Sequence, residues 1–240
     1  MIIRLLTVLL SVNGAMCFSD CYDIKQQNPD ATSGVYNVTL WWSKVSIEVY
    51  CDMDTAGGGW TVFQNRFNGS VDFFNDLDAY TNMFGNINSE FWLGLKFIKE
   101  LADQGEMTLR FDVSAADGTT GYEEWKGFRL AGPPGYQLFV GGNGTGSALN
   151  QSEIFKNDRY FEQSNNGSSF AARESVCGDL DWGGWWFAFC THINLNGRYL
   201  KPGTISGVGP DCGIIYLSFK GAESLKTTRM MLRRENGNHT

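Results

Sequence analysis

Apolar and polar residues alternate along much of this chain. Ile47, Val49 and Cys51 alternate with Ser46, Glu48 and Tyr50, while Met107, Leu109, Phe111 and Val113 alternate with polar neighbours. A period of two puts every second side chain on the same side, so both segments predict strands with one buried face. Residues 136–140 and 227–232 read as further strands. Asn68-Gly69 lies between residues 61–67 and 71–74 and has the composition favoured in a two-residue hairpin turn. Helical spacing is clearest over residues 89–104, where Trp92, Leu95, Ile98 and Leu101 recur at every third position. Ser89 can cap its start and Gly105 can end it. A shorter helix is expected over residues 74–80. From Gly141 to Arg173 the periodicity fades and Gly, Asn and Ser accumulate, which predicts a long surface loop of the kind that often carries function. The pattern as a whole predicts an α+β domain built on antiparallel sheet.

Composition narrows the setting. Arg4 precedes a short apolar run over residues 5–12, and small residues follow at Gly14 and Ala15. That is the layout of a secretory signal peptide over residues 1–15, the run being too short to span a bilayer. Residues 16–240 are then expected to form one secreted, extracellular domain with a core at about 21–234. Its 42% hydrophobic and 14% aromatic residues are ample for such a core. No later segment is apolar enough for membrane insertion. The net charge of −7 argues against nucleic acid and anionic membranes, which are best bound by basic patches. Asn-X-Ser/Thr sequons stand at Asn37, Asn68, Asn143, Asn150, Asn166 and Asn238, so a glycoprotein is expected. Six cysteines in a secreted chain suggest disulfides, although spacing alone leaves the pairing undetermined.

Catalytic chemistry lacks its parts. The only histidines are His192 and His239, no Ser-His-Asp arrangement or zinc-type spacing is evident, and Gly57-Gly58-Gly59 is not followed by a phosphate-loop lysine. Glu123-Glu124 and Asp179/Asp181 are acidic pairs of a sort usually only solvated. The chain is therefore read as a non-enzyme, with no catalytic and no metal residues. Its most informative stretch is residues 177–199, where two cysteines thirteen apart enclose Trp185-Trp186 and an Asn-Leu-Asn-Gly-Arg-Tyr segment follows. An aromatic shelf suited to recognition and an ordinary buried core are both readings of those tryptophans.

This segment resembles the fibrinogen C-terminal globular domain of fibrinogens, ficolins, tachylectins, angiopoietins and tenascins. The resemblance recurs in order: Ser33-Gly34-Val35-Tyr36, Val49-Tyr50-Cys51-Asp52-Met53, and Gly57-Gly58-Gly59-Trp60-Thr61-Val62-Phe63-Gln64. Gly69-Ser70-Val71-Asp72-Phe73, Glu90-Phe91-Trp92-Leu93-Gly94, Ser224-Leu225-Lys226 and Met230-Met231-Leu232-Arg233 follow. It implies a twisted antiparallel sheet with a few short helices and long loops, stapled by Cys21–Cys51 and Cys177–Cys190. Cys17 and Cys212 lie outside that framework: they could pair together, link to another chain, or stay as thiols.

For function the resemblance implies lectin-like binding of glycans or acetylated groups on microbial or cell surfaces, of an innate-immune type. The alternative is an extracellular protein-binding ligand or matrix component that binds no sugar. In ficolin-like members a Cys-His peptide shapes an acetyl cup, and here the pair is Cys190-Thr191. The implied ligand-binding residues are Phe189, Cys190, Thr191, Asn194, Tyr199 and Tyr216. The family's calcium loop is degraded, residues 167–174 and 155–160 each lacking its later aspartates, so no cofactor is expected. Glu174, Asp179 and Asp181 are the carboxylates left for a weak site. A homo-oligomer would have to form through the domain surface or through Cys17 and Cys212. Residues 154–163 read as an insertion near the cup.

Overall fold

The computed structural model describes residues 17–147, 165–188, 190 and 193–235. Its strands are β1 (Gly34–Thr39), β2 (Ser46–Asp52), β3 (Trp60–Arg66), β4 (Phe84–Gly85), β5 (Phe91–Trp92) and β6 (Met107–Ser114). After them come β7 (Thr120–Leu130), β8 (Leu138–Gly146), β9 (Ile193–Asn194), β10 (Ile215–Tyr216) and β11 (Thr227–Arg234). Among the described residues the short α-helices are α1 (Cys21–Gln27), α2 (Leu77–Thr81), α3 (Leu95–Ala102), α4 (Val176–Leu180) and α5 (Leu217–Lys220). The large sheet runs β1-β2-β3-β11-β6-β7-β8, with β5 also on β3 and β4 on β5, while β9 and β10 form a separate pair. The pairings between named strands are antiparallel.

The C-terminal strand β11 is inserted between β3 and β6, at the middle of the sheet. A central strand can bury both faces, and β3 does so from Trp60 through Gln64. β2 alternates as expected, whereas β6 buries Thr108 and Arg110 as well as Leu109 and Phe111. The alternation of β6 is therefore correct in register but not in exposure, because Thr108 is bonded to Glu235 and Arg110 is paired with Asp112 and Glu124.

The helix expected over residues 89–104 begins later. Phe91 and Trp92 form β5, pairing with Asn65 and Gln64, and the helix α3 starts after Gly94. Gly94 has φ 102, and a Cβ there would meet the Asn82 carbonyl oxygen at 2.2 Å, so the strand-to-helix corner requires glycine. Three-residue spacing cannot tell one helix from a strand followed by a helix. Helix α2 likewise sits at Leu77–Thr81, capped by Asp76, instead of over 74–80. Asn68-Gly69 does turn the chain, yet residues 71–74 are not a strand. The buried Glu90 carboxylate gathers the amides of Phe67, Asn68, Gly69 and Val71, leaving them no part in a ladder. Strand β8 extends to Gly146, into the segment expected to be loop, and residues 154–163 lie outside the described residues.

Candidate functional site

Cys177 and Cys190 form one disulfide, and Cys21 and Cys51 the other. The first anchors helix α4, whose start is capped by Ser175 accepting from the Gly178 amide. Gly178 is hemmed in, since a Cβ there would lie 1.9 Å from the Ala172 carbonyl oxygen. Trp185 and Trp186 are fully buried, so they are core and not a shelf. The Trp186 indole donates to the Tyr136 carbonyl at 2.7 Å, and its ring packs edge-on to Phe170 at 5.0 Å.

Trp182, in the same segment, is half-buried. Its ring stacks on Phe74 with centroids 4.1 Å apart and planes 9° from parallel. The guanidinium of Arg173 lies 5.8 Å from the Phe74 ring and that of Arg198 lies 5.7 Å from the Trp182 ring. Cation–π attraction adds to the stacking, and Trp182 is held in the left-handed region at φ 52. Beside it α4 packs against the 3-10 turn Gly209–Asp211. That contact leaves Val176 75% exposed, Leu180 42% and Val208 69%. Nothing in the sequence pattern singled out Trp182, because the adjacent Trp-Trp pair carried the stronger aromatic signal.

The implied ligand-binding residues have separate placements. Asn194 and Tyr216 are brought close by the β9–β10 ladder, and both are buried. Asn194 Nδ2 donates to the Asp181 carbonyl at 2.8 Å, and its Oδ1 accepts from the Asn196 amide at 3.0 Å. The Tyr216 hydroxyl donates to Glu123, and burial followed by that carboxylate pushes its phenol well above the usual range. Tyr199 lies over Gly69, with its hydroxyl 2.7 Å from the Phe67 carbonyl and 2.8 Å from that of Lys226. Each of these polar tips already has a partner within the fold. Cys190 is half-buried at φ 29, while Phe189 and Thr191 lie outside the described residues.

The remaining acidic residues diverge. Glu174 accepts from the Leu77 amide at 3.2 Å, Asp179 is exposed on α4, and Asp181 is buried facing the Cys212 thiol at 3.8 Å. Among the described residues no three His, Cys, Asp or Glu side chains are grouped to hold a metal ion. Burial, with Asp181 adding to it, pushes the Cys212 thiol up to about 12. Cys212 is thus a buried thiol unsuited to linking subunits, whereas Cys17 is exposed and unpaired. Of the sequons, Asn37 and Asn68 are exposed. Asn166 instead exchanges hydrogen bonds with both backbone groups of Val140. Asn150, Asn238 and the Asn143 side chain lie outside the described residues.

The profile of the family described as fibrinogen beta and gamma chains, C-terminal globular domain, matches residues 17–235. Mouse angiopoietin-2 is 36% identical over 225 residues, covering 90% of this chain and 43% of that protein. Human microfibril-associated glycoprotein 4 is 35% identical over 222 residues, covering 90% of this chain and 84% of its own length. The chain thus spans under half of the angiopoietins it matches. Among solved structures, the fibrinogen-like globe domain of human ANGPTL2 superposes with a TM-score of 0.80 at 32% identity, over 90% of this chain and 99% of that one. A lamprey fibrin D-dimer in complex with the peptide Gly-His-Arg-Pro-amide gives 0.81 at 29% identity, over 95% and 78%.

Proposed function

The chain belongs to the fibrinogen C-terminal globular domain family, and from that premise we propose that it is a secreted, non-enzymatic recognition protein acting through a protein-contact surface on residues 173–212. The observation that carries this reading is the Arg173–Phe74–Trp182–Arg198 stack, with Val176, Leu180 and Val208 exposed on the neighbouring α4 and the start of the Gly209–Asp211 turn. Trp and Arg are among the residues that dominate protein–protein binding energy, and a loop braced by Cys177–Cys190 loses little entropy when it docks. The peptide seated on the lamprey relative and the angiopoietin likeness support a protein ligand. The internal pairing of Asn194, Tyr199 and Tyr216 counts against a sugar cup built from those tips. Among the described residues no helix is long and apolar enough to cross a membrane.

The test is binding of the fluorescent mature protein to cell surfaces, with Trp182→Ala and Leu180→Asp variants. Both substitutions are expected to weaken binding at least about tenfold, or roughly 1.4 kcal/mol, as is mild protease treatment of the cells. Binding that survives protease but vanishes when cell-surface glycans are removed would return the function to the glycan reading. Unchanged binding by both variants would remove residues 173–212 from consideration.

A further inference from the structure

Gly57-Gly58-Gly59 lacks the lysine that follows a phosphate loop in sequence, yet the fold brings two cations to it from elsewhere. Helix α1 packs on the loop at Gly59, where a Cβ would lie 3.4 Å from the Cβ of Lys25. Strand β11 reaches it at Gly57, where a Cβ would lie 3.9 Å from Arg233 Nη1. The turn between them requires glycine: Gly58 has φ 77, and a Cβ there would meet the Met53 carbonyl oxygen at 2.2 Å. Tyr22, Lys25, Gly57 and Arg233, with Arg234 and Glu235 beside them, line a hollow of about 220 Å³.

The charges of this hollow do not cancel. Arg234 is matched by Asp20 at 3.3 Å and by Asp23. The Glu235 carboxylate is taken by the Thr108 hydroxyl and, at 3.8 Å, by Lys126. Among the described residues Lys25 and Arg233 have only neutral partners. The Lys25 ammonium donates to the Pro29 carbonyl at 2.7 Å, and Arg233 Nη1 donates to the carbonyls of Ala56 at 2.8 Å and Gly58 at 3.1 Å. The Arg233 guanidinium also lies 4.2 Å from the ring centre of the fully buried Trp60, which fixes the fork in place. Its Nε and Nη2, and the other ammonium protons of Lys25, meet no acceptor among the described residues. On a chain of net charge −7, two positive charges in one hollow are thus left without a counter-charge. The loop turns carbonyls towards Arg233, so the cations, not the glycine amides, would hold an anion. A guanidinium fork beside an ammonium suits the several oxygens of a tetrahedral oxyanion.

We propose that this hollow is an oxyanion site that takes a sulfate or phosphate ester, independently of the Trp182 surface. The test is isothermal titration of the mature protein with inorganic sulfate and phosphate at low ionic strength. Competition with peptides carrying sulfotyrosine or phosphotyrosine then distinguishes the two sources. The wild-type protein is expected to bind a single ion saturably, more weakly as sodium chloride rises, and to release it to one of the peptides. Lys25→Gln and Arg233→Gln should each weaken binding about tenfold. Lys201→Gln, which removes an exposed cation elsewhere, and Trp182→Ala should leave it intact. Thermal unfolding would establish that each variant keeps the fold. No saturable binding, equal binding by both hollow variants, or an equal loss in Lys201→Gln would each overturn the proposal. Ions bound but displaced by neither peptide would overturn the ester assignment. Trp182→Ala is read by cell binding and Lys25→Gln by ion binding, so the failures of the two sites are distinguishable.

Discussion

Glu90 organises a turn that no local pattern specifies. Its Oε1 accepts from the amides of Phe67 at 2.6 Å, Asn68 at 2.8 Å and Gly69 at 2.9 Å, and its Oε2 from Val71 at 3.1 Å. Burial alone would raise this carboxyl. The hydrogen bonds from Asn68, Phe67 and Gly69, with the Arg66 guanidinium, outweigh burial and hold it below the usual carboxylate value of 4.5. A depressed folded pKa contributes stability that is present above the unfolded value and lost as pH falls through the folded one. Glu90→Gln keeps the shape but discards the charge, and should cost about 2–3 kcal/mol near neutral pH. Urea unfolding of both proteins should show that gap closing below pH 4.5; a gap independent of pH would refute the charge-based account. Asn68-Gly69 was readable as a turn because its composition is local. Its exit path was not, because the acceptor lies some twenty residues further along.

At the scale of elements, the corners and staples matter more than propensity. The split between β5 and α3 at Gly94 comes from backbone crowding against Asn82, which hydrophobic spacing does not encode. Helix α4 has only five residues and would not persist alone, so its place depends on the cap, the Cys177–Cys190 bond and contact with the turn at Gly209–Asp211. Loop-closure entropy for a separation of 13 predicts about 3 kcal/mol lost when both cysteines become alanine. The separation of 30 at Cys21–Cys51 predicts about 3.6 kcal/mol. The sharper expectation concerns function: Cys177→Ala/Cys190→Ala should abolish cell-surface binding while the sheet still unfolds cooperatively. Binding retained at wild-type strength would show that the Trp182 surface does not depend on this staple.

Across the whole molecule the two ends of the domain are tied together. Asp20 caps α1 and lies 3.3 Å from Arg234 at the end of β11, which also pairs with Asp23. Burial first, and Asp23 after it, raise the Asp20 carboxyl from 3.8 to about 6 against the pull of Arg234. A raised folded pKa on an acid means the folded state holds the proton longer. The contribution of Asp20 to stability is therefore fully present below 3.8 and declines as pH rises towards about 6. Asp20→Asn retains the cap, so wild-type stability relative to this variant should fall between pH 4 and 6 and level off above, as urea titrations would measure; a constant difference would contradict it. The sequence by itself determined the antiparallel α+β domain, the positions of β2, β3, β6, β8 and β11, and both disulfides through the family resemblance. Those follow from local periodicity, composition and ordered motifs. Only the tertiary structure decided that Trp185 and Trp186 are core, that Asn194 and Tyr216 turn their polar atoms inwards, and that Trp182 stays half-exposed, stacked on Phe74. Exposure depends on which distant segments cover a residue, and a one-dimensional pattern records the residue without its cover.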